Sequence, residues 1–166
     1  LDPFIIDIAA EYMASQHFRY HQHARTGDIN YEDHVNLKKE LIPKYQVESI
    51  WVNFQEKNEY NPIHNHSGDL SFVIWMEIPF KISDERKVKN VVNSNNSKSA
   101  AAFEFVYTDI LGKINTFTFP VEKGWEGRIL IFPAQLHHTV YPFQTSDGYR
   151  ISISGNVSST IPPDDI

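Results

Sequence analysis

The sequence of 166 residues contains no cysteine, which excludes disulfide bonds, thiolate metal sites and cysteine nucleophiles. Any metal ligands must therefore come from His, Asp or Glu side chains. Basic residues are also scarce, since 15 Lys and Arg stand against 21 Asp and Glu and give a formal net charge of -6. Because such a chain repels a phosphate backbone, we expect no nucleic-acid partner.

Long apolar runs are missing too. No stretch approaches the roughly 18 residues of a membrane-spanning helix, and the N-terminus lacks the basic and apolar segments of a signal peptide. We therefore expect a soluble, cytoplasmic protein that does not contact a membrane. The chain opens at Leu1 rather than Met, so the sequence leaves open whether a leader or a further domain lies upstream. It also leaves open whether the protein forms a homodimer.

The length and the high aromatic content of 13% favour one β-rich domain. From Val47 onwards, short runs of Val, Ile, Phe, Thr and Tyr alternate with turn residues, which is typical of an all-β sandwich or barrel. We predict a single domain over residues 1–166, with a helical segment at 1–45 and a β core at 46–156. Strands are predicted near residues 47–55, 70–78, 101–108, 114–119, 127–132, 137–142 and 148–155.

Three other segments complete the prediction. Asp2 and Pro3 suit a helix start, and apolar residues at helical spacing predict a helix from Pro3 to His17, followed by a connector over 18–35. A second short helix is expected at 33–41, before Pro43. The polar stretch 83–101 predicts a mobile surface loop. A further histidine cluster suits a solvated helix end and is assigned no function; it comprises His17, His21 and His23.

Two histidines, His64 and His66, lie just before an apolar strand. Residues i and i+2 of an extended chain point to the same face, so both imidazoles can reach one ion. A third ligand can come from His137 or His138, of which only one can point inward. A single histidine is more often a surface or hydrogen-bonded core residue, but this set fits one metal site. Imidazole ligands suit iron, zinc, copper and nickel alike.

Arg150 and Ser152 are also two residues apart, in the last predicted strand. An inward arginine in an apolar strand is costly unless an anion pairs with it. A ligand carboxylate held by the guanidinium and the hydroxyl would supply that anion. The alternative is an Arg150 side chain that points outward into solvent.

The order of these motifs resembles that of the 2-oxoglutarate- and Fe(II)-dependent oxygenases, in particular small members of the prolyl 4-hydroxylase-like group. The motifs are His-x-His, then Gly-x-x-x-x-Phe-Pro-x-x-x-x-His, then Arg-x-Ser, and the likeness runs from Trp51 to Ser152. The resemblance implies a mainly β fold, a double-stranded β-helix or jelly roll with one or two N-terminal helices packed outside.

The same resemblance implies the cofactors and the site. Fe(II) would be held by His64, His66 and His138, and 2-oxoglutarate would serve as co-substrate. Its distal carboxylate would meet Arg150 and Ser152. Trp75 stands where many relatives have a Tyr that contacts 2-oxoglutarate, although simple core packing explains a tryptophan equally well.

The implied activity is hydroxylation of a small molecule or peptide, with ascorbate as an accessory reductant. One departure is His66, because most of the superfamily has Asp there; Asp69 is the alternative carboxylate ligand. Two other functions stay open on the residues alone. One is a cupin-like dioxygenase or isomerase that uses the same histidines without 2-oxoglutarate, and the other is a non-enzymatic jelly-roll binding protein.

Overall fold

Eight β-strands follow one another between residues 44 and 160 in the computed structural model of the chain, which describes residues 1–22, 44–89 and 97–160. Within these ranges, the side chains of 14–22, 44, 97 and 160 are left undescribed. The strands are β1 (Lys44–Gln55), β2 (Asn61–His64), β3 (Leu70–Glu77), β4 (Phe103–Thr108), β5 (Ile114–Phe119), β6 (Ile129–Pro133), β7 (His138–Val140) and β8 (Arg150–Thr160). The helices are α1 (Asp2–Gln22) and the one-turn α2 (Ile82–Glu85).

The strands form two four-stranded antiparallel sheets. One has the order β1-β8-β3-β6 and the other the order β2-β7-β4-β5. With these two sheets and one N-terminal helix, the described part of the chain is mainly β. The predicted mainly β fold is therefore confirmed.

Aromatic side chains fill the space between the two sheets. Phe103 contacts Trp75 edge-on at 6.0 Å between ring centroids, and Phe105 and Phe132 meet at 5.0 Å. All four rings are buried. This cluster explains the high aromatic content of the chain, because large rings fill an interior built from short strands.

Helix α1 packs on the outer side of the first sheet, as predicted. Ile5 and Ala9 are fully buried there in a second apolar cluster with Leu70 and Val157. The helix continues to Gln22, so the predicted end at His17 and the connector over 18–22 are wrong. After Pro3 in the first turn, the next strong helix breaker in the sequence is Gly27, so residues 18–22 contain none that would end the helix.

Several sequence-based predictions fall on residues outside the described ranges. The expected helix at 33–41 and His23 lie there, and so do the side chains of His17 and His21. In the described parts of the chain, no helix combines the length and the apolar character needed to cross a membrane.

Two local predictions are corrected by the structure. No strand is predicted between residues 55 and 70, yet β2 (Asn61–His64) pairs there with β7 at the edge of its sheet, where the missing N–H of Pro62 is tolerated. The stretch 83–101 was expected to be an exposed loop throughout. Instead, Glu85 of α2 and Ala101 are both fully buried, so the prediction is wrong at both ends of that stretch.

Candidate metal centre

Three histidines converge at the edge formed by β2 and β7. His64 ends β2 and stands opposite His138 in the pairing with β7, and His66 follows two residues later. Their ligand nitrogens all lie within 4.8 Å of one another, and the Nε2 atoms of His66 and His138 are 3.3 Å apart. Two nitrogens about 2.1 Å from a shared ion are separated by about 3.0–3.4 Å. The spacing of His66 and His138 therefore fits a common metal ion, and the ligand nitrogen of His64 lies within 4.8 Å of both.

Backbone carbonyls orient two of the three rings. Nδ1 of His64 lies 2.6 Å from the Pro62 carbonyl, and Nδ1 of His138 lies 3.1 Å from the Leu136 carbonyl. With Nδ1 protonated, each ring donates to its carbonyl and keeps the Nε2 lone pair free. Metal-binding histidines are commonly fixed in this way.

Burial favours the neutral form of two of the three rings, those of His138 and His66. His138 is 4% exposed and stacks on Phe103 at 5.3 Å between ring centroids. This burial lowers the pKa of His138 to about 4, although the Leu136 carbonyl opposes the change. Burial also lowers the pKa of His66, and the nearby His64 adds to the effect. Neutral imidazole is the form that binds a metal ion.

The two alternative ligands lie elsewhere. His137 is exposed, whereas its neighbour His138 faces the other two histidines. The Asp69 carboxylate accepts a hydrogen bond from the Ser159 backbone N–H at 2.5 Å. Asp69 does not belong to the group of converging ligands, so the structure offers no support for it as the third ligand.

A cavity of about 520 Å³ opens beside the histidines. His64 and His66 line it, together with the three residues predicted to contact 2-oxoglutarate, namely Trp75, Arg150 and Ser152. Arg150 is 3% exposed and points inward, not into solvent. Trp75 both lines the cavity and packs in the core against Trp125. The structure thus brings all six predicted site residues together, five of them at the cavity and His138 beside His64 and His66.

The Arg150 guanidinium is enclosed by protein groups. Its Nη1 donates to the Ala101 carbonyl at 2.6 Å and its Nη2 to the Tyr141 carbonyl at 2.8 Å. Phe80 and Phe143 place their rings 5.6 and 5.8 Å from it. Burial lowers the pKa of Arg150 to about 9, and the buried Glu85 carboxylate opposes this shift, so the guanidinium is charged at neutral pH.

Sequence reasoning missed the contribution of β1 to this site. Trp51, Asn53 and Gln55 line the cavity, and Asn53 donates to the hydroxyls of Ser152 and Ser154 at 3.3 and 3.2 Å. The Trp51 ring lies 5.5 Å from that of His66. The i, i+2, i+4 spacing of Trp51, Asn53 and Gln55 was a usable signal, because such residues share one face of a strand. The apolar residues between them are the more exposed ones, at 49% for Val52 and 60% for Phe54.

A comparison with known protein families shows to which family the chain belongs. The model of a family described as "Putative 2OG-Fe(II) oxygenase" matches residues 49–156, about two thirds of the sequence. The chain belongs to this family. Membership in the 2OG-Fe(II) oxygenase family confirms the predicted enzyme class, an oxidoreductase, and the predicted cofactors Fe(II) and 2-oxoglutarate.

Two solved structures are similar to the chain at low identity. A 2OG-Fe(II) oxygenase family oxidoreductase from Burkholderia pseudomallei is 14% identical, with a TM-score of 0.49 over 80% of this chain and 53% of that one. The capsular polysaccharide assembling protein CapF from Staphylococcus aureus is 8% identical, with a TM-score of 0.38 over 74% of this chain and 30% of that one. The chain thus spans about half of the first protein and less of the second. No curated protein matches the sequence.

Proposed function

We propose that the chain is a 2-oxoglutarate- and Fe(II)-dependent dioxygenase that hydroxylates a C–H bond of a small molecule or peptide. One oxygen atom of O2 enters the substrate as a hydroxyl group, and the other enters succinate as 2-oxoglutarate loses CO2. The observation that carries the proposal is the convergence of three imidazoles beside a cavity that also holds a buried, charged arginine.

The histidines would hold the iron in this proposal. His64, His66 and His138 supply three neutral nitrogen ligands, and the donor set suits Fe(II) among other divalent metals. Bound Fe(II) together with 2-oxoglutarate supplies the oxidising chemistry. A site with no carboxylate ligand keeps one more positive charge than a site of two His and one Asp, which favours an anionic co-substrate.

Arg150 and Ser152 would bind the distal carboxylate of 2-oxoglutarate. Both line the cavity, and the buried guanidinium gains most from an anion because little water competes for it. The Trp75 indole N–H would add a donor on the same wall. Phe103 and Phe132 line the cavity as well and exclude water from the reacting groups.

The decisive assay adds Fe(II), 2-oxoglutarate and ascorbate in air and follows succinate. We expect slow turnover of 2-oxoglutarate even without a second substrate. Arg150→Ala should abolish binding of 2-oxoglutarate and retain binding of the metal. The exposed Arg128, which lies over the Trp125 ring at 5.4 Å, gives a matched control in Arg128→Ala. Metal-loaded protein that neither binds nor turns over 2-oxoglutarate would contradict the proposal, and an unchanged affinity in Arg150→Ala would favour a cupin-like enzyme.

A further inference from the structure

Gln55 holds the edge of the Arg150 guanidinium that a carboxylate would use. The two residues are partners in the register of β1 and β8, so the backbone places their side chains together. The Gln55 amide oxygen accepts hydrogen bonds from both Nε, at 2.8 Å, and Nη2 of Arg150. Paired donation from one guanidinium edge is also the way arginine binds a carboxylate.

A count of donors shows that this contact limits the binding of an anion. A guanidinium has five N–H groups. Four of them are used here, two by Gln55 and one each by the backbone carbonyls of Ala101 and Tyr141. Only one N–H remains, whereas a paired carboxylate contact needs two. Of the three partners, Gln55 alone is a side chain that can rotate away.

We propose that Gln55 is a built-in competitor that the distal carboxylate of 2-oxoglutarate displaces from Arg150, and that it thereby sets the affinity for the co-substrate. The inference rests on the proposed function. A neutral amide oxygen is a weaker acceptor for a charged guanidinium than a carboxylate, so the exchange is favourable. The hydrogen bonds between Gln55 and Arg150 must first be broken, and this cost lowers the net affinity for 2-oxoglutarate. The effect is the same as when only a fraction of the protein molecules is competent to bind the ligand.

The same exchange affects the segment between β1 and β2. The Gln55 Nε2 group donates to the Glu59 carbonyl at 2.7 Å, and Tyr60 of this segment lines the cavity. Displacement of Gln55 releases that carbonyl. The Asn58 N–H, bonded to the Phe143 carbonyl at 2.9 Å, still ties the segment to the chain between β7 and β8. Binding of the co-substrate is therefore coupled to the wall of the cavity next to His64.

The test measures binding of 2-oxoglutarate by calorimetry to protein loaded with Mn(II), which avoids turnover. Gln55→Ala removes the competitor and should tighten binding by roughly threefold or more. Gln55→Glu places a carboxylate on the guanidinium and should weaken binding by about tenfold or more. Gln46→Ala, at an exposed position of the same strand outside the cavity, is the matched control and should bind as the wild type does.

Pyruvate serves as the second control, because it is a 2-oxo acid without a distal carboxylate. Its affinity should be the same in the wild type and in both Gln55 variants. Weaker binding of 2-oxoglutarate by Gln55→Ala would overturn the inference and make Gln55 a positioning residue for Arg150. Equal changes for pyruvate and 2-oxoglutarate would overturn it as well. A wild-type protein that binds Mn(II) but no 2-oxoglutarate would overturn both this inference and the proposed function.

Discussion

At the scale of single residues, His137 and His138 form a natural matched pair. They are adjacent in sequence, but only His138 faces His64 and His66, whereas His137 is exposed. We expect His138→Ala to lower the affinity for Mn(II) by about a hundredfold or more, since loss of even an outer-shell partner costs 10–100-fold. His137→Ala should leave the affinity unchanged. Titration calorimetry measures both, with circular dichroism as the check on folding, and equal losses would contradict the assignment of His138 as the ligand.

The pKa of His138 predicts how the stability of the metal-free protein depends on pH. Its folded value is about 4, below the usual 6.5. Between these values, the unfolded chain binds a proton on this ring and the folded chain does not. The contribution to the free energy of unfolding is thus fully present above about pH 6.5 and is lost as the pH falls towards 4.

Urea unfolding of the metal-free protein at several pH values tests this dependence. The difference between the two pKa values corresponds to at most about 3 kcal/mol. His138→Asn should remove this part of the dependence, whereas His137→Asn should keep it. Identical pH profiles for the wild type and His138→Asn would contradict the prediction, because they would show that His138 has the same pKa in the folded and the unfolded chain.

At the scale of strands and helices, periodicity predicted most of the β core. The predicted strand at 114–119 coincides with β5, and β1, β3 and β8 were placed correctly apart from their ends. The short β2 was missed because its stability comes from pairing with β7 and not from its own residues. The inward face of β1 was missed for a related reason: an interior that contains a polar cavity reverses the usual alternation of apolar and polar side chains.

Glu85 of α2 carries the clearest test at this scale. Its carboxylate is fully buried and accepts hydrogen bonds from the backbone N–H groups of Gln144 and Thr145, each at 2.8 Å, and from the Thr145 hydroxyl. It thereby fixes the chain just before β8. Glu85→Gln removes the negative charge that balances the Arg150 guanidinium. We therefore expect this substitution to lower the free energy of unfolding by about 2–4 kcal/mol, as measured by urea unfolding.

The neighbouring Asp84 provides the control for that measurement. It is exposed and pairs only across one helical turn with Lys87 at 3.2 Å. Asp84→Asn should therefore change the free energy of unfolding by less than about 0.5 kcal/mol. A cost for Glu85→Gln as small as that for Asp84→Asn would mean that the stretch 83–89 is as weakly attached as its polar sequence suggested.

At the scale of the whole molecule, the aromatic core continues directly into the cavity, since Trp75, Phe103 and Phe132 belong to both. Phe103 links the core to the histidine cluster, since it contacts Trp75 edge-on and stacks on His138. The sequence motifs could predict which histidines meet, because their order follows the order of the strands. They could not predict the partner of Arg150, because that depends on the register between β1 and β8, which are nearly a hundred residues apart.

Metal binding should accordingly stabilise the entire fold, because the ligands come from two separate parts of the chain, His64 and His66 on one side and His138 on the other. A ligand at a hundred times its Kd adds about 2.7 kcal/mol to the free energy of unfolding. For a chain of this size, that corresponds to a rise in Tm of about 5–10 °C. Thermal unfolding with and without Mn(II) measures the rise, which a chelator should reverse and His138→Ala should abolish. A rise that persists in His138→Ala would place the stabilising ion at some other site.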